Sequence, residues 1–173
     1  SLAFFDTGLP LVAGVISLTP KLEARIVQEV AAKKTESVLI VGADSGYLAA
    51  LLAHQSRHVT VMEAVPEVKS LAQANIAKNG ITNVDVQWGD ALKNTHFAAF
   101  DIIVITGSLE AIPENLQAQL NIGGRMFVVV GKPPVMTAQL VSRESELFFN
   151  TKQLFETSVP PLTQAIPAST FTL

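Results

Sequence analysis

The chain alternates short, wholly apolar runs with stretches whose apolar positions recur at helical spacing. Val38-Leu-Ile-Val41 is a four-residue apolar run, the pattern of a strand covered on both faces, and Gly42 supplies the tight turn after it. Tyr47-Leu-Ala-Ala-Leu-Leu-Ala53 then changes to helical composition. His58-Val-Thr-Val-Met-Glu63 predicts a second strand, Val84-Asp-Val-Gln-Trp88 a third by alternation, and Phe100-Asp-Ile-Ile-Val-Ile105 a fourth. Between the second and third, Pro66 starts a helix through Val68, Leu71, Ala72 and Ile76 that Gly80 closes. Upstream, Thr19 caps and Pro20 opens a helix with Leu22, Ile26, Val27 and Val30 on one face, closed by Lys33 and Lys34.

Past the fourth strand the pattern changes. Pro113 to Leu120 predicts a short helix, Gly123-Gly124 a turn, and Arg125 to Gly131 a fifth strand. Alternation then replaces crossover helices: Thr137 to Phe148 and Thr151 to Val159 read as two antiparallel strands with a turn near Phe149-Asn150. Four strands alternating with helices predict an α/β doubly wound, Rossmann-like fold in one domain. Its sheet is mostly parallel with antiparallel strands at one edge, and ligands bind at the carboxyl ends of the strands. Residues 1–20 read as a loop and lid segment, 21–131 as the βα core, and 132–173 as the edge and a tail that wraps the surface.

Composition narrows the partners. With 173 residues, 49% hydrophobic content and a mean hydropathy of +0.37, the chain can bury one sizeable core. Twelve basic against 15 acidic residues give net charge −3, and no Lys/Arg stripe interleaves with aromatics, which argues against nucleic acid. No apolar run reaches the roughly 20 residues of a membrane span, and no signal peptide is visible. With no cysteine, a cytoplasmic location is the default expectation. The first residue is Ser, not Met, which leaves room for a preceding segment. His54, His58 and His96 are scattered without ligand spacing, so no metal is expected, and Trp88 is expected in the core.

The candidate chemistry lies at the strand ends. Strand, glycine turn and helix start in succession place free N–H groups at the carboxyl edge of the sheet. A dinucleotide site would want glycine where Asp44 and Tyr47 stand, and a carboxylate at Asp44 would repel a pyrophosphate. S-adenosylmethionine carries no phosphate and has an ammonium beside its carboxylate, so it suits this turn better. Glu63 is placed for ribose hydroxyls and Asp90 for an adenine amino group.

These stretches, with Thr106, Ile112-Pro113 and Leu120-Asn-Ile-Gly-Gly-Arg125, resemble the successive motifs of protein-L-isoaspartate O-methyltransferases over nearly the whole chain. Ser45-Gly46-Tyr47 and Ile-Pro followed by Gly-Gly-Arg are the most family-specific. The resemblance implies methyl transfer from S-adenosylmethionine to the α-carboxyl of L-isoaspartyl residues in damaged proteins or peptides, with S-adenosylhomocysteine as product. Carried onto this sequence, the cofactor contacts are Gly42, Ala43, Asp44, Ser45, Gly46, Glu63, Ala64, Gly89, Asp90, Ala91 and Thr106.

The sequence also departs from the family. The substrate loop Gly-Gln-Thr-Ile-Ser-Gln-Pro falls on Gly14-Val-Ile-Ser-Leu-Thr-Pro20, so Ile16 replaces Thr and Leu18 replaces the active-site Ser. Ser17 and Thr19, each one position off, are the hydroxyls a local slip would bring inward as catalytic candidates. Ile40 replaces the acid common at the end of the first strand, while Asp44 replaces a glycine and is the candidate to take over the ammonium contact. Two other outcomes compete with isoaspartyl methylation: a catalytically silent homologue serving as a binding or regulatory module, and a methyltransferase for another small carboxylate or hydroxyl.

Overall fold

A computed structural model describes residues 10–93 and 98–162. Among these residues seven strands form one sheet: β1 (Ser37–Val41), β2 (His58–Glu63), β3 (Val84–Trp88), β4 (Phe100–Leu109), β5 (Leu120–Lys132), β6 (Val135–Arg143) and β7 (Phe149–Thr157). The helices are α1 (Pro20–Val30), α2 (Tyr47–Ala53), α3 (Pro66–Lys78) and α4 (Glu114–Gln117). Strand order is β3-β2-β1-β4-β5-β6-β7, parallel from β3 through β5 and antiparallel for the last two pairings. The order reverses between β1 and β4, and there the crevice at the carboxyl ends opens.

The mid-sheet strands β1 and β4 bury both faces, as their continuous apolar runs require. On one face Val38, Ile40, Val61 and Val104 pack against Ile26 of α1, Leu48 and Leu52 of α2, and Val68 and Ala72 of α3. On the other, Leu39, Val41, Ile103 and Met126 pack with Leu116 of α4 and Leu120. At about 25 cal/mol per Å² of apolar surface removed from water, this two-sided burial is the main force assembling the sheet. Thr19 caps α1 as expected, its Oγ1 accepting from Leu22 N–H at 3.1 Å. Arg125 then ties the α1–β1 connection to β5, pairing with Glu36 at 2.6 Å and donating to the Val30 and Ala31 carbonyls.

Four expectations need correction. Helix α1 stops at Val30 because Ala31 adopts the left-handed conformation (φ 46°), so Lys33 and Lys34 lie beyond it. Gly123-Gly124 is a bulge inside β5: Phe100 pairs with Leu120 but Ile102 pairs with Arg125, so β5 carries extra residues there. A Cβ on Gly124 would lie 2.8 Å from the Asp101 carbonyl oxygen, so the bulge needs a glycine. The β6–β7 turn falls at 144–148 instead of Phe149-Asn150. Arg143 gathers the carbonyls of Leu120, Ala118, Ser145 and Glu146 there, and Phe149 is left to pair with Arg143 in the ladder. Trp88 is 65% exposed, with its indole N–H donated to the Ala64 carbonyl. His96, residues 1–9 of the lid segment and the tail beyond Leu162 lie outside the described residues.

Candidate functional site

The floor of the crevice is made by three consecutive strand ends. Gly42 follows β1 at φ +95°, and a Cβ there would overlap Thr106 Oγ1, which lies within hydrogen-bond distance of the Val41 and Gly42 carbonyls. Gly46 (φ +90°) lets α2 meet α3, since a Cβ on it would be 2.9 Å from the Ala72 carbonyl oxygen. Asn75 of α3 fixes the same loop by donating to the Ser45 carbonyl at 2.8 Å. Glu63, at the end of β2, is buried and accepts the Ala43 and Val65 N–H groups at 2.7 and 2.9 Å, one on each oxygen. Each oxygen keeps a further lone pair for a ligand hydroxyl.

At either end of this row stands a carboxylate with an unused oxygen. Asp90, after Gly89, accepts the Leu92 N–H on Oδ1 at 2.9 Å, and its buried Oδ2 has no partner. Asp44 occupies a left-handed position (φ +55°) and is 6% exposed. Its Oδ1 accepts the Leu18 N–H at 3.0 Å, and its buried Oδ2 has no partner. Burial pushes the Asp44 carboxyl above its ordinary range, and the charge of Glu63 adds to the effect.

The roof is formed by two segments from distant parts of the chain. One is the loop before α1, closed by a bridge between Pro10 and Ile16 and by a 2.6 Å hydrogen bond from Leu11 N–H to the Val15 carbonyl. It lines the crevice with Gly14, Val15 and Ile16. Leu18 is turned into the core, Thr19 spends its hydroxyl on the α1 cap, and Ser17 is not among the lining residues. The other segment is the chain after β7. Ser108 N–H donates to the Pro160 carbonyl at 2.9 Å and Leu162 N–H to the Ser108 carbonyl at 3.0 Å, so the tail runs as a short parallel strap beside the end of β4. Gly107 permits that approach, because a Cβ on it would overlap the Leu162 Cα.

Leu162 borders both halves of the crevice and divides it. On one side about 110 Å³ remains beside Gly42, Asp44, Glu63 and Thr106; on the other about 10 Å³ remains beside Ala64, Gly89, Asp90 and Ala91. Both volumes fall below the roughly 300 Å³ at which small-molecule pockets begin. A wider groove of about 510 Å³ runs between α1 and β7, lined by Thr19, Arg25 and Phe155, but holds none of the unpartnered carboxylates.

Gly107, read from the sequence as pocket lining beside Thr106, does line the crevice, whereas Glu23 and Leu162 were not foreseen as parts of this region. Glu23 reads as an ordinary first-turn acid of α1, yet it is 5% exposed and its Oε2 has no partner. Burial, with the nearby Asp44 charge, pushes its carboxyl up to about 8. Its place on the apolar face, one residue after Leu22, was the available signal. Leu162 meets Gly107 across more than fifty residues, and no local pattern marks that meeting.

Compared with known proteins, residues 1–166 match the family model described as protein-L-isoaspartate(D-aspartate) O-methyltransferase. A protein-L-isoaspartate O-methyltransferase of Rhodopseudomonas palustris is 36% identical over 131 residues, covering 75% of this chain and 60% of that protein. One from Ignicoccus hospitalis is 35% identical, covering 77% and 65%, and one from Protochlamydia amoebophila is 33% identical, covering 93% and 78%. The chain thus spans less than two thirds of the first two relatives. Among solved structures, a Plasmodium falciparum protein described as a protein-L-isoaspartate O-methyltransferase, in complex with S-adenosyl-L-homocysteine, superposes with TM-score 0.80 at 19% identity, covering 93% of this chain and 82% of that one. At that identity the likeness establishes the fold.

Proposed function

This chain belongs to the protein-L-isoaspartate O-methyltransferase family, and from that premise we propose that it transfers a methyl group from S-adenosylmethionine to the carboxyl of L-isoaspartyl residues in damaged proteins or peptides. The observation that carries this reading is the row of acceptors Asp44, Glu63 and Asp90 across adjacent strand ends, two of them with a buried oxygen unused. Their order along the strand ends suits a ligand with an ammonium at one end, ribose hydroxyls in the middle and an adenine amino group at the other. Glu63 would accept from the ribose and Asp90 from the adenine. Gly42 and Gly46 would let backbone approach the ligand, Ala43 and Ser45 would line the turn, and Ala64, Gly89, Ala91 and Thr106 would border the rest.

The cofactor brings an electrophilic methyl group, and a carboxylate with pKa about 4 is already ionised at neutral pH, so the chain has little proton transfer to perform. Its task is positioning. Space for the whole ligand requires the Leu162 side chain to leave the middle of the crevice.

Calorimetric titration with S-adenosylhomocysteine tests the cofactor half of the proposal. Micromolar binding is expected, weakened about a hundredfold in both Glu63→Ala and Asp90→Ala; absence of binding at millimolar ligand would overturn it. Methylation of an isoaspartyl peptide tests the acceptor half. A second reading, a cofactor-binding homologue without turnover, is favoured by the roof, where Val15 and Ile16 face the crevice and the hydroxyl of Thr19 does not. Binding without peptide methylation is its signature.

A further inference from the structure

We infer that Asp44, backed by Glu23, forms an anionic subsite for a primary ammonium group, and that it selects cofactor-like nucleosides by the free amine of their amino-acid end. The inference rests on the cofactor reading above and deepens it. Asp44 is nine-tenths buried, lines the wider half of the crevice beside Gly42 and Glu63, and keeps one carboxylate oxygen without any partner. A carboxylate held away from water with lone pairs to spare is stabilised by a cation brought into contact, and charge-assisted bonds of this kind are among the stronger ones. Among the described residues no three side chains converge as metal ligands, which favours an organic ammonium over a metal ion.

Two further features set the geometry. The left-handed backbone at Asp44 (φ +55°) and the bond from Leu18 N–H to Oδ1 aim the carboxylate at the junction of glycine turn and roof loop. Ile40, near the end of β1, packs into the helix-covered core, so the negative charge at this strand end comes from the turn. Glu23, also buried with an unpartnered oxygen, stands close enough to feel the Asp44 charge. Pushed up to about 8 by burial and then by the Asp44 charge, Glu23 holds its proton near neutral pH and adds no second negative charge beside Asp44.

The test titrates the wild-type chain, Asp44→Asn and Asp44→Gly with three probes: S-adenosylhomocysteine, its deaminated analogue that keeps the carboxylate, and 5′-methylthioadenosine, which lacks the amino-acid end. The wild type is expected to prefer S-adenosylhomocysteine over the deaminated analogue by about tenfold to a hundredfold. That preference should collapse towards one in Asp44→Gly, with methylthioadenosine affinity unchanged. Glycine accepts the left-handed backbone freely, so this variant keeps the turn, and its melting midpoint checks the fold. A wild type that binds both nucleosides equally, or a preference that survives in Asp44→Gly, overturns the subsite alone. A wild type that binds none of the probes overturns the cofactor reading and the subsite with it.

Discussion

The two walls of the crevice differ in what they offer a ligand. The floor, built from the ends of β1, β2 and β3, is polar and tightly determined: Glu63 is fixed by two backbone N–H groups, and Asp44 and Asp90 each accept a backbone N–H on Oδ1 and leave Oδ2 without a partner. The roof, built from the loop before α1 and the strap after β7, presents Val15, Ile16, Pro160, Pro161 and Leu162. On the proposed reading the floor is the cofactor wall and the roof the acceptor wall, and the floor's side chains also hold the turn together while the roof's do not. Removing Glu63 would orphan two backbone donors, the Ala43 and Val65 N–H groups. Exchanging Ile16 disturbs only a half-exposed side chain.

The largest expected effects come from giving the roof back its hydroxyls. Leu18→Ser should cost about 2–5 kcal/mol of stability, because Leu18 is 6% exposed and packed in the core, where truncation leaves a cavity. Ile16→Thr, at a position 49% exposed, should change stability by about 0.5 kcal/mol or less. If the apolar roof is what limits the acceptor, Ile16→Thr raises kcat/KM on an isoaspartyl peptide about tenfold and leaves S-adenosylhomocysteine affinity alone, as one added hydrogen bond would. Equal changes in both quantities would erase the distinction between the walls.

The same distinction governs what could be read from the chain before its fold was known. The floor was legible: a buried strand, a glycine and an acid at the end of the next strand are local patterns, and the residues that make Gly42, Glu63 and Asp90 a row lie within fifty positions. The parallel half of the sheet followed for the same reason. Of the roof, residues 1–20 read as a loop and lid, but the strap and the turning of Leu18 into the core were not legible, since they depend on Ser108 meeting Pro160 and Leu162 and on Leu18 choosing the core over the crevice. Turn signals misled where a long-range partner intervened: Asn150 suggested a turn, but Arg143 draws the chain round at 144–148 by holding carbonyls of both that turn and the α4–β5 connection.

An intermediate effect is expected from the strap. Leu162→Ala removes the side chain that parts the crevice but keeps the backbone bonds to Ser108, so the two small cavities merge. S-adenosylhomocysteine should bind several-fold more tightly, since less apolar contact must be broken to admit it. Hydrogen exchange gives an independent view: ligand binding should speed exchange of the Leu162 amide in the wild type if the strap must withdraw. Slower exchange on binding would instead make the strap part of the ligand's wall and cancel the expected gain.

A pH-dependent effect concerns Glu23, which belongs to neither wall and lies behind the floor, close enough to feel the Asp44 charge. Its carboxyl is raised from 4.5 to about 8, first by burial and then by Asp44. Between those two values the folded chain holds a proton that the unfolded chain has released, so stability falls as pH rises from about 4.5 and levels off above about 8. Glu23→Gln keeps the shape and removes the titration. Its melting midpoint should match the wild type near pH 4.5 and exceed it increasingly towards pH 8, by about 2–4 °C for each kcal/mol recovered. Asp44 is raised in the same direction and remains in the variant, so part of the wild-type pH slope should persist. Parallel curves across this range would mean that Glu23 reaches water or a cation in solution and adds its own negative charge beside Asp44.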